Sequence, residues 1–93
     1  MSIFSTLNVY ATKWMVKNVR NFTAEEQNLV DEAVVVPSQY GNSVCFMMKA
    51  GGQTFIPLST TSSKTVGESI NLSTAKIVTL GKPGEADILR IEA

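Results

Sequence analysis

Short runs of apolar and β-branched residues alternate along this chain with clusters of turn formers, a spacing that predicts strands over most of its length. Residues 9–19 mix β-branched and aromatic side chains with Lys13 and Lys17 and read as one long, half-exposed strand. On a flat strand Trp14 and Val16 share one face, and Met15, Lys17 and Val19 share the other. One helix is expected, over residues 24–32. Thr23 followed three residues later by Glu26 forms a capping box, in which a hydroxyl and a carboxylate satisfy backbone N–H groups at the helix start. Glu25 and Glu26 also sit at the positive end of the helix dipole, and Leu29, Val30 and Ala33 supply a short apolar stripe.

From Ala33 onward the period is that of strands. Residues 33–36 are a brief β-branched run ended by Pro37, which has no N–H to give to a ladder, and residues 38–42 have the composition of a turn. Strands are expected at 43–49 and 53–58, joined as a hairpin by Ala50, Gly51 and Gly52, because paired glycines adopt the positive φ of tight hairpin turns. A Ser/Thr-rich loop over 59–65 leads to a short strand at 69–72. A second hairpin pairs 76–80 with 87–92 around Lys82-Pro83-Gly84-Glu85, which has Pro and Gly at the central positions of a type II turn. The predicted fold is therefore mainly β with one short helix (α+β), six or seven strands rolled into a small, partly open barrel.

Composition narrows the chemistry. The chain has 93 residues, enough for one domain with one core. It has no histidine, so histidine-based acid–base catalysis, a catalytic triad and histidine metal ligation are all excluded. Cys45 is the only cysteine; it cannot form an intrachain disulfide or build a zinc site, and a place among packed apolar residues accounts for it. The carboxylates cluster on the helix, where capping and solvation explain them. The glycine pairs lie in hairpin turns, not between a strand and a helix as a phosphate loop does. We therefore expect a non-enzymatic protein without cofactor or metal. No basic start precedes an apolar run and no apolar run approaches ~20 residues, so the expected setting is the cytoplasm, away from membranes.

Charge is balanced overall, with 8 basic and 8 acidic residues, which leaves a homodimer or other homo-oligomer open. It is unevenly placed: Lys13, Lys17 and Arg20 all precede the first acid, and Trp14 lies among them. Tyr40, Lys49 and Phe55 follow on the neighbouring β elements. Aromatic rings that stack bases, beside cations that follow phosphates, are what a single-stranded nucleic acid groove requires. These seven residues are the candidate binding set, and burial of Trp14 and Phe55 in the core is the competing explanation. A flat first strand would put Trp14 opposite Lys13 and Lys17, so that part of the groove needs a bulge or twist there, or phosphate contacts from another element such as Lys49.

Two stretches carry a family resemblance. Tyr40-Gly41-Asn42-Ser43-Val44-Cys45-Phe46, then Gly51-Gly52-Gln53-Thr54-Phe55-Ile56-Pro57-Leu58, looks like the central hairpin of small OB-like proteins. Val66-Gly67-Glu68-Ser69-Ile70-Asn71-Leu72 resembles a strand start frequent in small β-barrels, and Asp87-Ile88-Leu89-Arg90-Ile91-Glu92 resembles their closing strand. The chain also resembles short proteins of phages and mobile elements, some of which bind single-stranded DNA. The resemblance implies an OB-like barrel and a single-stranded nucleic acid partner; a protein-interaction or assembly module, joined through an exposed strand edge, is the alternative. The predicted helix precedes the central hairpin, whereas the usual OB helix follows the third strand.

Overall fold

The computed structural model describes residues 14–39 and 41–93. In chain order they form β1 (Met15–Asn21), α1 (Ala24–Leu29), β2 (Val30–Ser38), β3 (Gly41–Met48), β4 (Gln53–Pro57), β5 (Lys76–Gly81) and β6 (Ile88–Glu92). The architecture is mainly β: two three-stranded antiparallel sheets, ordered β1-β5-β6 and β2-β3-β4, with one short helix. The sheets meet where the chain leaves β4. There Leu58 bridges Ile91 in parallel, and the Ser59 N–H donates to the Ile91 carbonyl at 2.8 Å. The ladders do not close into a barrel among the described residues.

Local chemistry explains most element boundaries. At α1 the Glu26 N–H donates to Thr23 Oγ1 at 3.0 Å and the Thr23 N–H donates to Glu26 Oε1 at 2.9 Å, completing the capping box. The helix is shorter than its 24–32 pattern. Val30 has turned extended, at φ −102 and ψ 127, and pairs with Met48. A six-residue helix has too few internal bonds to resist a β-branched residue offered a ladder partner. β2 then runs longer than expected, through Pro37, because Pro37 lies next to the last pair of the β2–β3 ladder. The strand expected at 69–72 shrinks to a single bridge between Ser69 and Val34. Asn71 ends it: its side chain accepts from the Ser73 N–H at 3.0 Å and its carbonyl from the Ala75 N–H at 3.0 Å, folding the chain into a turn. Even so, residues 67–70 cover the outer edge of β2, with bonds from Val35 N–H to Glu68 and from Ile70 N–H to Ala33.

Both expected hairpin turns form. Gly51 and Gly52 take φ of 100 and 83 between β3 and β4, and Gly84 takes φ 77 in the turn closed by Glu85 N–H on the Lys82 carbonyl. The long first strand is displaced: residues 9–13 of that reading lie outside the described residues, and β1 runs on to Asn21. Between the sheets Phe22, Ala33, Val35, Val44, Phe46, Leu58, Ile70, Ala75, Ile77 and Ile91 form one buried cluster. The Phe22 and Phe46 rings lie 5.8 Å apart and tilted, bringing β1 and β3 together. Cys45 is buried and free on the opposite face of β3 from this cluster.

Candidate nucleic-acid interface

β1 is bulged against β5. The β1–β5 register shifts between Val16 and Asn18, so Val16 pairs with Leu80 and Val19 with Val78. The face expected of a flat strand is thereby corrected: Val16 and Val19, three apart, lie on one side with Leu80 and Val78, and Lys17 is the extra residue. The Lys17 stem crosses Gly81, leaving no room there for a Cβ, and its ammonium meets Asp87 at 2.9 Å. Arg20 is committed as well. Its guanidinium grips both Glu26 carboxylate oxygens, at 2.7 and 2.9 Å, and the same carboxylate caps α1. The Arg20 side chain and the Thr23 backbone bond hold the Glu26 carboxyl down to about 2, and the guanidinium pKa is raised in turn. Two cations of the basic first strand are thus answered by carboxylates from later in the chain.

Trp14 is half-buried and lies outside the core cluster, with Lys82 Nζ 6.0 Å from its ring centroid. Lys82, with Lys17 and Asp87, also lines an open cavity of about 400 Å³ beside the start of β1 and the β5–β6 turn. Lys13 and Tyr40 lie outside the described residues.

The β2–β3–β4 sheet is arranged differently. Phe55 pairs with Cys45, which pairs with Val34, so all three lie in one cross-strand row on the face away from the core. On that face Cys45 is buried, whereas Phe55 stays 57 % exposed. Met47, paired with Gln53, extends the apolar surface toward the β3–β4 turn. Lys49 stands exposed at that turn, anchored by its backbone N–H on the Leu29 carbonyl at 3.0 Å. Phe55 and Lys49 are therefore brought to one ribbon, while Lys17 and Arg20 lie on β1 of the other sheet and Trp14 immediately precedes it.

A residue absent from the sequence-based set borders this ribbon. Lys64 lines a cavity of about 250 Å³ with Gly41, Asn42, Leu58, Ser59, Thr60 and Ser62, at the end of β3–β4 opposite Lys49. Its signal in the sequence is a single cation within the Ser/Thr-rich loop. A second cavity of about 250 Å³, lined mostly by apolar side chains including Phe22, Phe46, Leu29 and Leu89, opens beside α1 with Arg20 and Glu26 on its lining.

Among the described residues no cluster of three or more acidic or cysteine side chains is placed to hold a metal ion, and no helix is long and apolar enough to cross a membrane. Comparison with known proteins gave no match to a family model, a curated protein or a solved structure.

Proposed function

We propose that this domain binds single-stranded nucleic acid on the outer face of β3 and β4, with Phe55 as the stacking platform, and that its two sheets are halves of a partly open OB-like barrel. Ladder order supports the fold reading. From β1 the pairing runs through β5 and β6, crosses to β4 by the Leu58–Ile91 bridge, and ends at β2. Counting β1 and β2 as one strand interrupted by α1 leaves five strands, the number in an OB barrel, with β3 and β4 as the second and third. In that fold the face of the second and third strands, with the loops after the first and fourth, receives oligonucleotides. The corresponding loops are the β2–β3 turn and the β5–β6 turn, where Lys82 lies beside Trp14.

The observation that carries the reading is the exposure of Phe55. A phenylalanine 57 % exposed at the end of an apolar cross-strand row adds little to the core and offers a flat π-face to a base. A fluorescently labelled oligothymidylate titrated at low salt tests it. Phe55→Ala is expected to weaken binding by roughly 1–3 kcal/mol with the unfolding midpoint unchanged. Equal affinity of the two proteins removes Phe55 from the site.

A second reading, self-assembly through β1, has its own observation. All seven β1 residues are exposed, Met15, Val16 and Val19 among them at 66 %, 61 % and 52 %, and among the described residues β1 is laddered only to β5. An open edge with apolar side chains favours pairing with another strand. Sedimentation equilibrium decides: a dimer that Val19→Lys turns into monomer supports assembly, and a wild-type monomer at high concentration excludes it.

A further inference from the structure

We infer that the notch between β4 and β6 binds a small, neutral aromatic molecule of one or two fused rings. N-terminal to the Leu58–Ile91 bridge, these two strands are not laddered to each other among the described residues. The cavity of about 250 Å³ beside α1 is lined by Thr54, Ile56 and Leu89 from that unladdered stretch. The site is independent of the nucleic acid reading. Thr54 pairs with Phe46 and Ile56 with Val44, rows on the core side of the ribbon, whereas Phe55 faces away from the core. Burial marks where the core runs out. Leu58 and Ile91 are buried at the bridge. Leu89, two residues before Ile91 and on the same side of β6, is 43 % exposed, and Thr54 is exposed as well. Leu29 of α1 lines the same cavity at 53 % exposure, so an occupant would take two large apolar side chains out of water.

The lining decides the chemistry. Its only charged groups are Arg20 and Glu26, which are bonded to each other at 2.7 and 2.9 Å. A charged occupant would lose its water without gaining a free partner, so the ligand is neutral. Phe22, Phe46 and Met48 stand on the walls, and aromatic rings and a thioether favour an aromatic ligand over an aliphatic one. Water is poorly held there, because the Thr54 hydroxyl is the only neutral polar side-chain group on the lining. Size sets the rest. An apolar cavity of ~150 Å³ takes up benzene, and pockets for drug-sized ligands begin near ~300 Å³. A volume between the two fits a fused bicycle such as indole, whose N–H the Thr54 hydroxyl can accept.

The experiment is a titration of the full chain with indole, followed by methyl NMR and by thermal unfolding. Wild type is expected to show saturable shifts confined to the methyl groups of Met48, Ile56, Ile77 and their neighbours on the lining. Its unfolding midpoint should rise by roughly 5–10 °C at about ten times Kd. Indole-3-acetate, which carries a charge, should bind at least about tenfold more weakly. Thr54→Trp fills the notch with an indole of the chain's own and is expected to keep the midpoint while losing indole binding. Leu89→Asp places a carboxylate at the mouth and should weaken indole at least about tenfold, which keeps the test open should the tryptophan variant fold poorly. The inference is overturned by any of three results: no saturation in wild type, full affinity in either folded variant, or equal binding of indole-3-acetate. A wild-type dimer that Leu89→Asp dissociates and indole leaves intact would overturn it too, giving the notch to a second copy.

Discussion

On the β1–β5–β6 sheet Lys17 faces Asp87 and Arg20 faces Glu26, whereas beside the β3–β4 ribbon Lys49 and Lys64 face no ion-pair partner among the described residues. The aromatic residues divide in the same way. Trp14 is half-buried beneath an ammonium group, and Phe55 lies open on its strand. Read along the chain, the first strand is the more basic and aromatic segment; in space it is the more neutralised. Local composition describes a charge but not its partner, and a cation already bonded to a carboxylate offers a phosphate less than an unbonded one at the surface.

The comparison breaks most visibly at two phenylalanines. Phe46 points into the core against Phe22 and is 3 % exposed, so Phe46→Ala is expected to cost about 3–5 kcal/mol, read from chemical denaturation. A much smaller loss, equal to that of Phe55→Ala, would mean that the two faces of the ribbon have been assigned the wrong way round.

Thr23→Ala tests how the first strand is neutralised. Removing the cap is expected to cost on the order of 1 kcal/mol and to loosen Glu26, on which Arg20 depends. An unchanged denaturation midpoint would show that the capping box contributes nothing to the fold.

A smaller effect is expected with pH. Folding lowers the Glu26 carboxyl from 4.5 to about 2, so the unfolded chain holds that proton more tightly. The stability it contributes is fully present above about pH 4.5 and is lost as pH falls toward 2. The pair is partly exposed, with side chains 44 % and 36 % accessible, so water and salt screen it and the loss stays below about 1 kcal/mol. Urea midpoints of wild type and Glu26→Gln should converge across that window; a constant gap between them would place the stabilisation elsewhere.

The smallest expected effect is the sharpest test of location. Asp87→Asn frees Lys17, yet at physiological ionic strength, where surface charges are screened over ~8 Å, oligonucleotide affinity should stay within about twofold if binding is confined to the β3–β4 ribbon. A marked gain in affinity would return the site to the first strand.

Several parts of this outcome were legible along the chain for identifiable reasons. The Thr23–Glu26 box, the Gly51-Gly52 hairpin and the Lys82–Glu85 turn are local, each set by residues within five of one another, and all three form where expected. What escaped was non-local. The helix stops at Leu29 because Val30 is drawn to Met48, eighteen residues on, and the fate of Lys17 depends on Asp87, seventy residues away. Lys64 gave little signal because a lone lysine in a hydroxyl-rich loop is ordinary until Gly41 and Leu58 are folded against it.

The sequence by itself determined the predominance of strands, the place of the helix start, the turns and the lack of histidine chemistry, since these depend on backbone preference and residue type alone. Only the tertiary structure decided which cations are neutralised, which phenylalanine is buried and where β1 bulges. Those properties belong to pairs of residues brought together by the ladders, and a pairwise energy has no value until both partners have positions.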